Sequence, residues 1–179
     1  MNRLTACILI GASVLAACSS PGAGETIPAD EQQKIIVRPF SDSLQADTFK
    51  VKIEGSKPKD MQLAFTIRSF EGRQIYSISI KAADLFKNYD ATINLNKKDN
   101  QIKFLKEEIS RFFDEESFME PAVTEQENPD QYVPDRVFFE ELKKNQLSGF
   151  IYRLGKEHKV YIAWSVTEKK VKPYYICCK

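Results

Sequence analysis

Two adjacent cysteines near the carboxyl end, Cys177 and Cys178, and the one histidine, His158, are the residues best suited to chemistry. If the last two predicted strands pair around a two-residue loop at 168–169, Cys177 faces Val160 and lies diagonal to His158. A three-residue loop places Cys178 opposite Val160 instead. In either register the imidazole approaches one thiol and could favour its nucleophilic thiolate, and two cysteines with a histidine are also a zinc ligand set.

Strand geometry argues against both uses of these thiols. Successive strand side chains point to opposite faces, so Cys177 and Cys178 cannot both bind one metal ion while the strand stays regular. A bond between them is hindered as well, since adjacent Cα atoms are about 3.8 Å apart and disulfides usually need ~4.4 to 6.8 Å. An oxidising compartment could still close that bond, or pair the thiols with a second molecule. We expect unreactive thiols or a disulfide rather than catalysis or zinc binding.

Five aromatic residues cluster on the same predicted strands. On an outer face they could stack on a sugar or a peptide, as exposed aromatics do at recognition surfaces. The alternative is that they cover the second face of the sheet beneath helices. The residues are Tyr152, Tyr161, Trp164, Tyr174 and Tyr175.

The sequence lacks the common motifs of catalytic, phosphate-binding and metal-binding sites. It contains no glycine-rich phosphate loop, G-x-S-x-G, CxxC, HExxH or calcium-loop motif. Residues 114–133 are rich in carboxylates, which could bind calcium, but their irregular spacing around Pro121 and Pro129 predicts a long, solvated, exposed loop. The sequence therefore predicts no cofactor and no resident metal.

A different chemistry is indicated at Cys18. An apolar run with one preceding positive charge, Arg3, is too short for a spanning helix, which needs roughly 20 residues, and small residues precede the cysteine as at a secretory cleavage site. The stretch Leu15-Ala16-Ala17-Cys18 resembles the lipobox of bacterial lipoproteins. The resemblance implies removal of residues 1–17 and a multiply acylated Cys18. The alternatives are an ordinary signal peptide or an uncleaved anchor, with Cys18 incidental.

The resemblance also implies a location in the bacterial cell envelope, with attachment to the membrane through the N-terminal lipid. In the best-known sorting scheme an aspartate after the cysteine retains the protein at the inner membrane. Ser19 stands there, so we expect the outer membrane. Losing Arg3 with the signal leaves 25 basic and 25 acidic residues. The export signal argues against nucleic acid as a partner for the basic surplus in residues 136–179, which we expect to be a solvated face that balances the acidic segment. The candidate partner of the protein as a whole is an envelope protein or a glycan.

Residues 18–34 comprise the lipidated cysteine and a segment rich in Pro, Gly, Ser and polar residues, which predicts a flexible tether with an r.m.s. span of about 22 Å. Residues 35–179 are predicted to form a single domain. Their length suits one core, and 42% hydrophobic and 11% aromatic residues argue against general disorder.

Apolar and polar residues alternate with period two in three segments after the tether, 48–53, 61–68 and 76–81, which predicts strands with one wet face. A two-residue loop at Glu71 and Gly72 is preferred between the last two, because a three-residue loop would set Phe65 against Ser79. The preferred register gives three apolar pairs: Ile67 with Tyr76, Phe65 with Ile78, and Leu63 with Ile80.

Two helices and three further strands are predicted in the second half. Asp99 or Asn100 can cap the first helix, and Pro134 and Asp135 suit the first turn of the second, with Gly149 closing the turn after it. The apolar positions are Ile102, Leu105, Ile109, Phe112 and Phe113 in the first helix, and Val137, Phe138, Phe139 and Leu142 in the second. The strands are predicted at 147–154, 159–167 and 171–178.

This order of elements predicts an α+β domain: an antiparallel sheet of about six strands in two meanders, with two helices inserted between them and packed on one face. The predicted function is that of a lipid-anchored extracytoplasmic protein whose domain binds a ligand or supports an envelope assembly without catalysis. The alternative is a thiol-dependent enzyme or redox protein that uses Cys177 or Cys178 with His158.

Overall fold

The computed structural model describes residues 31–55, 57, 60–87, 97–155 and 157–178. The predicted signal sequence, Cys18 and most of the predicted tether lie outside these residues. Within them, no helix has the length and apolar character needed to cross a membrane. The elements, in chain order, are β1 (Gln33–Pro39), β2 (Ala46–Glu54), β3 (Gln62–Arg68), β4 (Gln74–Lys81), α1 (Ala82–Phe86), α2 (Lys98–Arg111), β5 (Phe118–Met119), α3 (Arg136–Asn145), β6 (Gly149–Arg153), β7 (Lys159–Ser165) and β8 (Lys170–Cys177).

The strands form two four-stranded antiparallel sheets, each in sequence order: sheet A is β1 to β4 and sheet B is β5 to β8. The α+β class with antiparallel pairing agrees with the prediction, but the single sheet of about six strands is wrong. The two meanders pack their faces together instead of joining edges. The ring of Phe150 in sheet B lies 5.1 Å from that of Phe65 and 5.4 Å from that of Phe49 in sheet A.

Sheet A has one buried face because its strands alternate as predicted, with Phe49, Val51, Leu63, Phe65 and Ile67 all inside. The three predicted apolar pairs between β3 and β4 are all present. The predicted loop is wrong, because Ser69 and Arg73 pair across a three-residue loop. Gly72 has φ +82° there, and a bulge at Ile75 restores the register.

β1 is an edge strand that the sequence does not predict. It begins at Gln33, inside the predicted tether, and pairs with β2. Ile36 packs on the core, whereas Ile35 and Val37 on the other face are exposed. Three apolar residues in a row show no period of two, which is why the pattern does not reveal this strand.

α2 packs on the buried face of sheet A, beside β6. Ile102, Leu105 and Ile109 are buried there, as their spacing predicts. The predicted cap is wrong: Lys97 occupies the N-cap position without a side-chain hydrogen bond, and Asp99 lies in the first turn.

α3 covers the opposite face of sheet B, so the two long helices do not share one face as predicted. Phe138, Phe139 and Leu142 pack with Ala163 of β7, while Val137 is 82% exposed, against its predicted apolar role. Asp135 is the N-cap residue, and its carboxylate accepts a hydrogen bond of 3.0 Å from the Phe138 N–H.

Gln146, and not the predicted Gly149, ends α3 in the left-handed conformation, with φ 55°. Gly149 instead begins β6. A Cβ atom there would lie 2.7 Å from the Tyr174 hydroxyl, so the position has room only for glycine. Sheet B is thus packed closely on both faces over most of its area.

The β7–β8 pairing differs from both predicted registers. Val160 lies opposite Ile176, and neither cysteine faces it. The turn after Ser165 is longer than predicted, and the pairing shifts next to Pro173, which lacks a backbone N–H. Glu141 of α3 holds the turn by accepting hydrogen bonds from the backbone N–H groups of Val166 (2.6 Å) and Thr167 (3.2 Å).

The acidic segment at 114–133 is only partly the exposed loop that was predicted. Phe118, Ala122 and Val123 within it are buried, and β5 joins the edge of sheet B. Arg38 of sheet A pairs with Glu115 and lies 3.4 Å from Glu120. Some of the carboxylates are therefore paired with a cation across the two sheets.

Candidate functional site

One end of the outer face of sheet B is only partly covered, since Tyr161 and Tyr175 pack against the cluster formed with α3 and yet remain half-buried. Two cross-strand rows stand side by side on it, because residues directly opposite in antiparallel pairs share a face. We call these six residues the open patch. The first row is Arg153, Lys159 and Cys177, and the second is Ile151, Tyr161 and Tyr175. Lys159 is exposed and the other five are half-buried.

Tyrosine rings dominate the second row. The ring centroids of Tyr161 and Tyr175 are 5.2 Å apart, and the ring centroid of Tyr132, in the loop before α3, lies 5.7 Å from that of Tyr175. The Tyr175 hydroxyl donates a hydrogen bond of 3.0 Å to Asp130. Partial loss of hydration and this carboxylate both raise the pKa of Tyr175, which therefore stays neutral at physiological pH.

The predicted binding aromatics divide into two groups. Tyr161 and Tyr175 lie on the open patch, whereas Tyr152, Trp164 and Tyr174 are buried. Tyr152 faces sheet A, and its hydroxyl lies 2.6 Å from that of Tyr76. Tyr161 and Tyr175 are placed to meet a ligand on the open patch, and Tyr152, though buried, lines the adjoining cleft.

A cleft of about 370 Å³ adjoins the first row and extends to the end of α2. We call it the arginine cleft. Its walls combine two aromatic side chains with charged and hydroxyl groups. The lining residues are Glu108, Arg111, Phe112, Glu116, Ser117, Ile151, Tyr152, Arg153 and Lys159.

The cations of the arginine cleft are of two kinds. Arg153 is held by Glu108 through two hydrogen bonds, one of 2.9 Å from its Nε, and the Glu108 side chain is only 11% exposed. Arg111 and Lys159 pair with no carboxylate within the described part of the chain. A fixed, neutralised pair thus lies beside two cations that can accept an anion.

The two terminal cysteines are joined to each other in a disulfide. Cys177 lies opposite Lys159 at the border of the open patch. His158 lies just before β7, which begins at Lys159. Its Nε2 is buried without a hydrogen-bond partner among the described residues. Both predicted registers, with Cys177 or Cys178 opposite Val160, are therefore wrong.

No metal site emerges from the described ranges, where no three His, Cys, Asp or Glu side chains converge. A second cleft, of about 490 Å³, separates β1 from α2. Two of its lysines have partners: Lys106 lies 2.8 Å from Glu31, and Lys34 lies 3.7 Å from Asp114 and donates to the Ser110 carbonyl. It also contains no aromatic side chain.

The sequence does not predict the arginine cleft. Arg153 and Lys159 lie opposite each other on β6 and β7, at the two ends of a short turn in which the Leu154 N–H donates a hydrogen bond to the His158 carbonyl. The length of this turn could have been used to predict that pair from the sequence. Arg111, Phe112 and Glu116 come from the end of α2 and the turn after it, and only tertiary packing brings them there. No protein-family model, curated protein or solved structure matches this chain.

Proposed function

We propose that the chain is a lipid-anchored protein of the bacterial envelope whose domain binds a glycan at the open patch. The observation that carries this proposal is the pairing of Tyr161 with Tyr175 directly beside Lys159 and Arg153 on a partly exposed face. Tyrosine rings present flat apolar surface and a polar hydroxyl, which suits the C–H faces and hydroxyl groups of a sugar. The domain would act by binding, without catalysis.

The anchor belongs to the same proposal and is supported by the lipobox resemblance at Cys18. With Ser19 after it, attachment to the outer membrane is proposed over the inner one. Two or more acyl chains make such attachment durable, because a single chain binds membranes only reversibly.

A glycan suits this surface better than a folded protein does. A stable protein interface needs about 800 Å² on each side with a core depleted of charge. The open patch is small, carries cations in one of its two rows and opens onto a concave cleft. The volume of that cleft, about 370 Å³, lies within the range of small-ligand sites, roughly 300 to 1,000 Å³.

A thiol-dependent activity has less support. Both sulfur atoms of Cys177 and Cys178 are bound to each other, so neither is a thiolate until the bond is reduced.

Calorimetric titration of the full mature protein with short oligosaccharides tests the proposal. We expect the double variant Tyr161→Ala/Tyr175→Ala to bind at least about tenfold more weakly, because each lost contact aromatic costs about 1 kcal/mol or more. Phe70→Ala is the matched control, since Phe70 is 48% exposed in a turn of sheet A, away from the patch. Equal affinities of the double variant and the parent, or no saccharide binding by the parent, would refute it.

A further inference from the structure

We infer that the glycan is an acidic saccharide, whose carboxylate is bound in the arginine cleft by Arg111 and Lys159 while a neighbouring ring packs on Tyr161 and Tyr175. The inference rests on the proposed glycan binding and adds the class of sugar. It concerns a place in the described structure where cations without a carboxylate partner, aromatic rings and a concave wall meet.

The charge of the cleft favours an anion. Arg111, the last residue of α2, and Lys159, the first residue of β7, both line it, and neither has a carboxylate partner within the described residues. Arg153 is already neutralised by Glu108. The uncompensated charges are therefore two cations and one anion, Glu116, which leaves a net attraction for one carboxylate.

The type of cation indicates a carboxylate held in a defined orientation. A guanidinium group donates two parallel hydrogen bonds to a planar carboxylate, whereas an ammonium group acts as a point charge. Arg111 can supply the first contact and Lys159 the second. Arg153 already makes this two-point contact with Glu108, so the pair serves to position the wall between α2 and β6.

The other walls match the remaining chemistry of a sugar acid. Phe112 and Tyr152 provide apolar surface, while the Glu116 carboxylate can accept hydrogen bonds from sugar hydroxyls and the Ser117 hydroxyl can donate or accept them. An inorganic anion would use the cations and leave these groups unused.

The cleft and the tyrosines can be reached by one short chain of sugars. Lys159 and Tyr161 are two residues apart on the same face of β7, about 7 Å along the strand. Tyr175 lies directly opposite Tyr161. A sugar bound at Lys159 therefore places its neighbour over the tyrosine rings.

The test compares acidic saccharides with their neutral counterparts. Tetramers of glucuronic acid and of galacturonic acid, and the same tetramers with each carboxyl reduced to an alcohol, are titrated calorimetrically into the full mature protein. We expect at least one acidic tetramer to bind about tenfold or more tightly than its reduced form, since hydrogen bonds to charged groups are worth ~1.5 to 3 kcal/mol. This preference should weaken as the salt concentration rises.

Variants separate the two parts of the site. Arg111→Gln/Lys159→Gln should abolish the preference for the acid by lowering the affinity for the acidic tetramer to that for the reduced one, whereas Tyr161→Ala should weaken both tetramers by a similar factor. Arg136→Gln, an exposed arginine at the end of another helix, is the control and should change neither.

Each contrary result has a distinct meaning. Equal binding of the acidic and reduced tetramers would overturn the acidic class while leaving glycan binding intact. Absence of binding by every tetramer would overturn both. If inorganic phosphate binds as tightly as the acidic tetramers and Tyr161→Ala has no effect on either, the cleft is a simple anion site and the inference is wrong.

Discussion

Ile78 lies directly opposite Phe65 in the pairing of β3 with β4, and both side chains pack on the core. Phe65 is fully buried, whereas Ile78 is half-buried on an edge strand. We expect Ile78→Ala to lower the free energy of unfolding by about 2 kcal/mol, near the low end for such truncations, and Phe65→Ala by about 3 to 5 kcal/mol. Urea denaturation measures both. Ser79→Ala, on the exposed face, should cost little, and a loss like that at Ile78 would mean the strand is turned the other way.

The hydroxyl groups of Tyr76 and Tyr152 join the two sheets at 2.6 Å. Burial raises the pKa of both groups, so the pair stays neutral. Tyr76→Phe should cost about 1 to 3 kcal/mol, because it leaves the buried Tyr152 hydroxyl without a partner. The double Phe variant should cost less than the sum of the single ones. If the losses in unfolding free energy of the two single variants add up to that of the double variant, the two hydroxyls are not coupled.

The carboxylate of Asp135 caps α3 and lies 2.8 Å from the Lys172 ammonium. Lys172 and the Phe138 N–H lower the pKa of Asp135, so the folded state binds its proton less readily than the unfolded state. This stabilisation is complete above the unfolded pKa, about 3.9, and is lost as the pH falls through the folded pKa.

Asp135→Ala should therefore cost about 1 kcal/mol at pH 7 and less near pH 3, as measured by denaturation at both pH values. Asp135→Asn is the control, because its amide oxygen can keep the cap while it cannot titrate. A penalty of Asp135→Ala that does not change with pH would contradict the ionic contribution.

Acylation of Cys18 is tested by detergent partitioning. The acyl chains supply the membrane affinity, so Cys18→Ala should remain an unacylated precursor that moves to the aqueous phase. Ser19→Ala is the matched control and should partition with the detergent like the parent. Recovery of Cys18→Ala in the detergent phase to the same extent as the parent would exclude the lipoprotein assignment.

The pair Cys177 and Cys178 gives a prediction that mass spectrometry can check. We expect the non-reduced mature protein to be monomeric and to lack two hydrogens relative to the reduced form, since the two sulfurs are bound to each other. Cys177→Ser/Cys178→Ser should lose at most modest stability, because the residues end an edge strand. Free thiols of unusual reactivity, or a zinc ion lost in this variant or in His158→Ala, would favour the thiol or metal alternatives.

The pattern of the sequence predicts β2, β3 and β4 of sheet A well but not β1, because alternation such as that at Leu63, Phe65 and Ile67 admits only one facing of a strand. It fails for the β7–β8 register, which depends on Pro173 and on Glu141, a residue of another element that holds the turn. The number of sheets could not be predicted either. Alternation shows that a face is buried, but it does not show whether a helix or a second sheet buries it.

The candidate site, like the fold, is predicted from the sequence only in part. Tyr161 and Tyr175 are predicted from the sequence because local composition marks aromatic residues on strands. The arginine cleft is not, since Arg111 and Lys159 lie far apart in sequence and meet only after α2 has packed beside β6. Ion pairing also decides which cations of the cleft can attract an anion. Arg153 is neutralised by Glu108, and the positions of these two residues in the sequence do not reveal that contact.

The order of the two sheets along the chain has a consequence for folding. The strands of sheet A are adjacent in sequence, so they can pair once the chain is available for folding as far as Lys81, the end of β4. Its apolar face, however, is covered by α2 and by Phe150, which come later. A chain crossing a membrane from its amino end would therefore expose Phe49 and Phe65 until sheet B arrives. Neither meander can complete its core alone, so the two sheets should gain and lose their structure together, as one cooperative unit.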